Sequence, residues 1–212
     1  MGTAVIVGQN MPDKTLDCVV DMHDRTIMFE PVPQAAESCR KRYATQPKAI
    51  VIEAACGEEH GECVFNLYNT DGLSSSLGNI TAQAEGTWRN VDFSNTTAIH
   101  VQVVRLDHVL QMLGVTQIDC LVIDAQGMDF AILKTLEPMI NDGMIGYIQL
   151  EADGAGFCHY TGTPDNSEAA ILQWMSQFEQ YEASRLPGRM VEQPDLVFTV
   201  KEKTLTRFRQ SA

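Results

Sequence analysis

The stretch from Ile118 to Glu151 constrains this chain more than any other part of it. It opens with Ile118-Asp-Cys-Leu-Val-Ile-Asp124, turns through Ala125-Gln-Gly127, and continues as Met-Asp-Phe-Ala-Ile-Leu-Lys134. A second apolar run, Tyr147-Ile-Gln-Leu-Glu151, follows. Two apolar runs that each end in an acid, joined by a turn and a helix, make a βαβ unit. Asp124, Gln126 and Glu151 then fall at the carboxyl ends of two strands. In open α/β sheets that edge is where ligands sit.

The rest of the chain supplies more strands and helices in alternation. Ala4 to Val7 reads as a first strand that meets Gly8. Lys14 to Met22 has a helical pattern through Leu16, Val19 and Val20. Thr26 to Phe29 is a second strand, closed by Glu30-Pro31-Val32-Pro33. The prolines suit a helix start at Pro33, with the helix running on from Gln34 to Ala44. Ala49 to Ala54 is a third strand. Cys63 to Tyr68 alternates like a strand, and so does Ile99 to Val104. Between them, residues 69–95 are rich in Gly, Ser, Thr and Asn, which predicts a long loop over the functional edge. Asp107 is expected to cap a helix that ends at Leu113. Ser167 to Tyr181 reads as an amphipathic helix. Tyr181 to Leu186, a Pro187-Gly188 turn and Asp195 to Val200 then form a terminal hairpin. No repeat or linker divides the chain, so one domain over residues 1–212 is expected. The fold class is α/β: a mostly parallel sheet with helices on both faces and an antiparallel edge.

Charge and cysteine usage narrow the partners. A net charge of −13 argues against a nucleic-acid backbone, which draws on Lys and Arg clusters. Arg40-Lys41-Arg42 is one solvated helix face. No apolar run approaches the length of a membrane span, and no secretory leader is read at the N-terminus. The six cysteines form no C-x-x-C pair, and free thiols in a cytoplasmic protein are expected. Asn79-Ile-Thr81 and Asn95-Thr-Thr97 match the glycosylation sequon but read as chance matches in that setting.

Gly8 and Glu30 bracket a strand–turn–helix–strand, at close to the separation of about 20 residues expected for an acid that holds a ribose diol. The G-x-G-x-x-G fingerprint is absent, since the turn reads Gly8-Gln-Asn10-Met-Pro-Asp13. That disfavours a pyrophosphate, which needs close backbone approach. By itself the pair reads either as a ribose site or as a turn glycine and a surface acid.

Six pieces in order make the resemblance specific. They are Ala4-Val-Ile-Val-Gly-Gln-Asn10, Phe29-Glu-Pro-Val-Pro33, Val51-Ile-Glu-Ala-Ala55, Ser74-Ser-Ser-Leu77, Leu106-Asp107 and Ile118-Asp-Cys-Leu-Val-Ile-Asp-Ala-Gln-Gly127. In this the chain resembles the FkbM-type family of S-adenosylmethionine-dependent methyltransferases. The resemblance implies the class I methyltransferase (Rossmann-like) fold, a seven-stranded sheet whose last strand pair breaks the parallel pattern. It implies S-adenosylmethionine as cofactor and methyl transfer to an oxygen of a sugar or other small molecule. It places Gly8 and Asn10 against the methionine moiety, Glu30 on the ribose, and Ala54, Ala55 and Ser76 near the adenine. Asp124 falls beside the methionine end and the acceptor. Two positions depart from the family: Val122 stands where lysine is usual and Gln126 where glutamate is usual. A glutamine cannot remove a proton. A methyltransferase-like domain that binds cofactor or a partner without turnover is therefore the second reading.

Methyl transfer to a hydroxyl needs a group that takes the acceptor's proton. Asp124 is the first candidate and Glu151 the second, because they end adjacent strands. The other reading of Asp124 is a helix-capping acid, and Glu151 could lie exposed. His159, in Gly156-Phe-Cys-His-Tyr160, is either a base or substrate contact or a surface loop residue. Asp153, Cys158 and His159 match no zinc spacing, so no metal is expected.

Overall fold

The computed structural model describes residues 2–10, 12–68, 74–88, 93–94, 96–187 and 189–201. The chain opens with β1 (Thr3–Val7), α1 (Lys14–Met22), β2 (Arg25–Phe29), α2 (Pro33–Arg42) and β3 (Ala49–Ile52). The next part holds β4 (Ala55–Cys56), β5 (Gly61–Tyr68), β6 (Asn79–Ile80), α3 (Ala82–Thr87) and β7 (Thr96–Val104). Then come α4 (Leu106–Met112), β8 (Ile118–Ile123), α5 (Asp129–Thr135), α6 (Glu137–Asn141) and β9 (Ile145–Glu151). The chain continues through β10 (Tyr160–Thr161), α7 (Glu168–Met175), β11 (Tyr181–Arg185) and β12 (Asp195–Val200).

Among the described residues, seven strands make the main sheet, in the order β11-β12-β9-β8-β1-β2-β3. The steps between β9, β8, β1, β2 and β3 are all parallel. β12 runs antiparallel to both its neighbours. The expected antiparallel edge is therefore one strand further in. β12 is inserted between β9 and β11, and the edge strand β11 points the same way as the parallel strands.

The two faces of the sheet bury different sets. On one face, α4, α5, α6 and α7 cover a core that includes Leu121, Ile123, Ile148, Leu150, Leu196 and Phe198. On the other, Leu16 and Val20 of α1 and Cys39 of α2 pack on Ile6 of β1 and Met28 of β2. Each such fully buried aliphatic side chain contributes roughly 1.5–3 kcal/mol relative to exposure. The βαβ logic places the helices: each parallel crossover must pass over one face of the sheet.

Helix starts follow local chemistry. Asp13 caps α1 by accepting from the Leu16 amide at 2.8 Å, and Ser167 caps α7 by accepting from Ala170 at 3.3 Å. Pro33 opens α2, where its missing N–H is no loss. Asp107 is not the cap of α4. That position is held by Arg105, which makes no side-chain cap and instead grips Asp107 in an ion pair at 2.8 Å. The helix expected up to Tyr181 ends at Met175, and Tyr181 opens β11.

β5 and β7 do not join the main sheet. They pair with each other antiparallel and, with β4, make a separate three-stranded sheet. The segment predicted as loop is partly ordered into regular structure: Thr81 caps α3, and β6 pairs with β10. Residues 69–73, 89–92 and 95 of that segment lie outside the described residues, as does Gly188 of the predicted turn. Among the described residues no helix is long and apolar enough to cross a membrane.

Candidate active site

The strand register decides which side chains share the carboxyl edge. Val7 pairs with Phe29 and with Ile123, and Ile123 pairs with Leu150. One residue further along each strand come Gly8, Glu30, Asp124 and Glu151. The four therefore form one row across β2, β1, β8 and β9. Asp195 extends the row, because it pairs with Glu151.

A cavity of about 350 Å³ opens on this row. Gly8, Asn10, Glu30, Ala54, Ala55 and Asp124 all line it. Part of its lining is apolar, where Val32, Ala55, Phe65 and Leu77 pack together. Part is polar, with Asn10, Asp13, Glu30, Asp124 and Gln126. Among the described residues, three of the lining residues are acids, and none is Lys or Arg.

Gly8 is fixed by geometry. Its φ is +79°, and a Cβ there would sit 1.8 Å from the carbonyl oxygen of Asp124. Asn10 also has a left-handed backbone, at φ 51°, which Asn tolerates better than most residues. This turn aims the Asn10 amide at Glu30, whose Oε2 accepts it at 2.5 Å, while Oε1 accepts from Val32 at 2.8 Å. Glu30 is only 3% exposed. Burial raises its pKa, against the pull of the two amide donors. The Asn10 side-chain Nδ2 is buried and has no partner among the described residues.

Asp124 and Glu151 are joined by Gln126. The Gln126 amide nitrogen donates to Asp124 Oδ1 and to Glu151 Oε2, the second at 3.2 Å. Its oxygen accepts from the Tyr160 hydroxyl at 2.7 Å. Gln193 also donates to Glu151 Oε2, at 2.6 Å. Burial raises the pKa of Asp124. Burial, then the neighbouring Asp124, lifts Glu151 well above the usual carboxylate range. Asp129 is the capping acid of this turn: it accepts from the Ala125 and Gly127 amides at 3.0 and 3.1 Å. Burial and Asp124 push its carboxyl up to about 8.

Three expected site residues do not line the cavity: Glu151, which stands in the row beside Asp124, and Ser76 and His159, which lie elsewhere. Ser76 is fully buried and off the cavity. Its hydroxyl donates to the Gln126 carbonyl at 2.6 Å and accepts from the Gly78 amide at 2.9 Å, so it anchors the turn from behind. Its neighbour Ser75 lines the cavity. His159 is neither a cavity residue nor a surface one. It is 1% exposed, and its Nδ1 contacts Asp153 Oδ1 at 2.5 Å. The Trp88 ring stacks on it at 4.9 Å. Trp88 in turn donates to Gln193 at 3.2 Å, linking this cluster to Glu151. Trp88, Tyr160 and Gln193 were not singled out by the sequence reading. Among the described residues, no group of three or more His, Cys, Asp or Glu could hold a metal ion.

No curated protein matches the sequence. Among solved structures, an rRNA methylase from Streptococcus thermophilus is 10% identical, with a TM-score of 0.46, over 94% of this chain and 86% of that one. The N-methyltransferase NodS from Bradyrhizobium japonicum is 10% identical, with a TM-score of 0.47, over 95% of this chain and 86% of its own. The sequence model of the methyltransferase FkbM domain matches residues 7–181, which spans every element from the glycine turn of β1 to the start of β11. The chain belongs to the FkbM methyltransferase domain family, a membership that implies S-adenosylmethionine as its cofactor.

Proposed function

We propose that this chain transfers a methyl group to a hydroxyl oxygen of a sugar or other small molecule. The observation that carries the reading is the in-register row of strand ends whose Gly8, Glu30 and Asp124 line an acidic cavity, with Glu151 next to Asp124. The residues fit the cofactor. A site with Asp13, Glu30 and Asp124 and no Lys or Arg in its lining suits a ligand bearing positive sulfur and ammonium groups. The unpartnered Asn10 Nδ2 offers a buried donor for the ligand's carboxylate. Glu30 keeps a free lone pair on each oxygen for the ribose hydroxyls. The apolar part of the lining, with Ala54 and Ala55, takes a flat base.

When bound, S-adenosylmethionine supplies a methyl group already activated for displacement. The protein must then orient the acceptor and take its proton. Asp124 has that task in our reading, with Glu151 as its neighbour on the next strand. A carboxyl whose pKa is raised by burial is a stronger base than an ordinary one, which suits work near neutral pH. His159 receives no step, because it lies off the cavity. The same reading takes the acceptor to be a small molecule, not a nucleic acid, and the setting to be the cytoplasm. It is supported by the acidic balance of the chain and by six free cysteines.

The test is Asp124→Asn, which keeps size but removes charge. An acceptor screen with labelled methyl donor should give turnover for the wild type. The variant should lose about 10²–10⁴-fold, the scale of a lost general base. Its calorimetric affinity for S-adenosylmethionine should change by less than about tenfold, or roughly 1.4 kcal/mol. Equal turnover would make Asp124 a structural acid. A wild type that binds the cofactor but methylates no acceptor would favour the binding-only domain.

A further inference from the structure

Gln126 sits in the turn between β8 and α5 with φ of 49°, a conformation that side chains other than Gly, Asn and Asp seldom adopt. The Ser76 hydroxyl holds its carbonyl in that turn. The result is a side-chain amide inserted between two strand ends. Its two N–H groups are spent on Asp124 and Glu151, and its oxygen on Tyr160. The charged and titratable groups facing it come from every neighbouring element. They are Asp124 after β8, Glu151 of β9, Asp129 of α5, Asp195 of β12 and Tyr160 of β10. Among the described residues, Arg189 is the cation of the group, and it pairs with Asp195 at 2.9 Å.

Two half-buried carboxyls bridged by one amide nitrogen normally share a proton or a cation. We propose that Gln126 is a positioning residue: its uncharged amide clamps Asp124 and Glu151 as a pair and so fixes how Asp124 is presented to the cavity. This rests on the reading that these strand ends serve the acceptor. The substitution from the family's usual glutamate thus gains a physical purpose. A carboxylate at 126 could donate nothing to either neighbour and would add a third acid.

The distinguishing variant is Gln126→Glu, which nearly preserves shape. Three touching carboxyls cannot all ionise, so its folded state would hold a proton that the unfolded chain releases. The sign follows. Folding of the variant is supported below the unfolded glutamate value of about 4.3 and loses support as pH rises through the raised folded value. Unfolding of the full chain by urea should be followed from pH 5 to pH 8. Relative to the wild type, the unfolding equilibrium constant of Gln126→Glu should grow by up to about tenfold per pH unit. Near pH 5 the protonated side chain can donate again, and the gap should narrow. Gln126→Met removes the donors without adding an acid, so its gap should also widen with pH, but less steeply. With an acceptor, Gln126→Met should lower kcat by about 10²-fold, as a misplaced reacting group does, with less effect on the KM for the donor.

A gap to the wild type that stays constant from pH 5 to pH 8 in both variants overturns the clamp. If Gln126→Glu does not fold at any of these pH values, the slope of Gln126→Met decides alone, and a flat one overturns it. Failure of the wild type to bind S-adenosylmethionine would sink the functional reading, yet would leave these unfolding profiles to be judged separately.

Discussion

Glu30 shows how much a single residue can be asked to do. Both its oxygens are held by backbone amides, from Asn10 and Val32, before any ligand arrives. The carboxylate is thereby fixed in orientation, and two lone pairs remain directed outward. Glu30→Ala should lower the affinity for S-adenosylmethionine at least about tenfold, since each charge-assisted hydrogen bond is worth about 1.5–3 kcal/mol. Calorimetry on a variant of native circular dichroism would check it, and unchanged affinity would remove Glu30 from the site. At this scale the sequence was readable where chemistry is local. Gly8, Glu30 and Asp124 stand at strand ends that an apolar run announces. Ser75 and Ser76 were not separable, because adjacent residues point to opposite sides and only the register tells which. The Trp88, Gln193 and Glu151 chain was not readable at all. Its links join residues 105 and 42 positions apart, and nothing local marks them.

At the scale of elements, β12 is the strand on which the sheet's second half depends. It pairs on both sides, with β9 and β11, and sends Leu196, Phe198 and Val200 into the main core. Phe198 is 1% exposed. Phe198→Ala should cost about 3–5 kcal/mol, the range for an emptied aromatic site, read from the urea midpoint at constant slope. A loss below about 1 kcal/mol would show that the site collapses or that β12 is peripheral. The sequence showed that β11 and β12 were strands and adjacent in the chain. It did not show which of them lay inside, since a hairpin can add to a sheet by either strand. α1 and α2 were legible from periodicity, the Asp13 cap and Pro33. β4, β6 and β10 span two residues each, too short for any period to appear. β5 and β7 alternate as strands do, but alternation does not say which sheet a strand joins.

For the molecule as a whole, the acids set how stability responds to pH. Glu30, Asp124 and Glu151 have raised values and Asp129 stands at about 8, with burial as the leading cause in each. The folded state then binds more protons than the unfolded chain, so stability falls as pH rises. Asp17 acts in the opposite sense: its hydrogen bond with Arg42 holds it down to about 2, and its contribution is lost only in strong acid. Between roughly pH 5 and 8 the raised group prevails, and self-repulsion at a net charge of −13 adds to it. Thermal unfolding should therefore give a higher midpoint at pH 5.5 than at pH 8, and a midpoint that climbs across this range would contradict the assignment. The row of strand ends has a further consequence. Glu30 and Glu151 are separated by three strand steps, about 14 Å at the usual spacing of hydrogen-bonded strands. The sheet thus acts as a ruler between these two carboxyls, graduated in peptide hydrogen bonds. Loops above it can be reshaped while the spacing of the strand-end side chains stays the same.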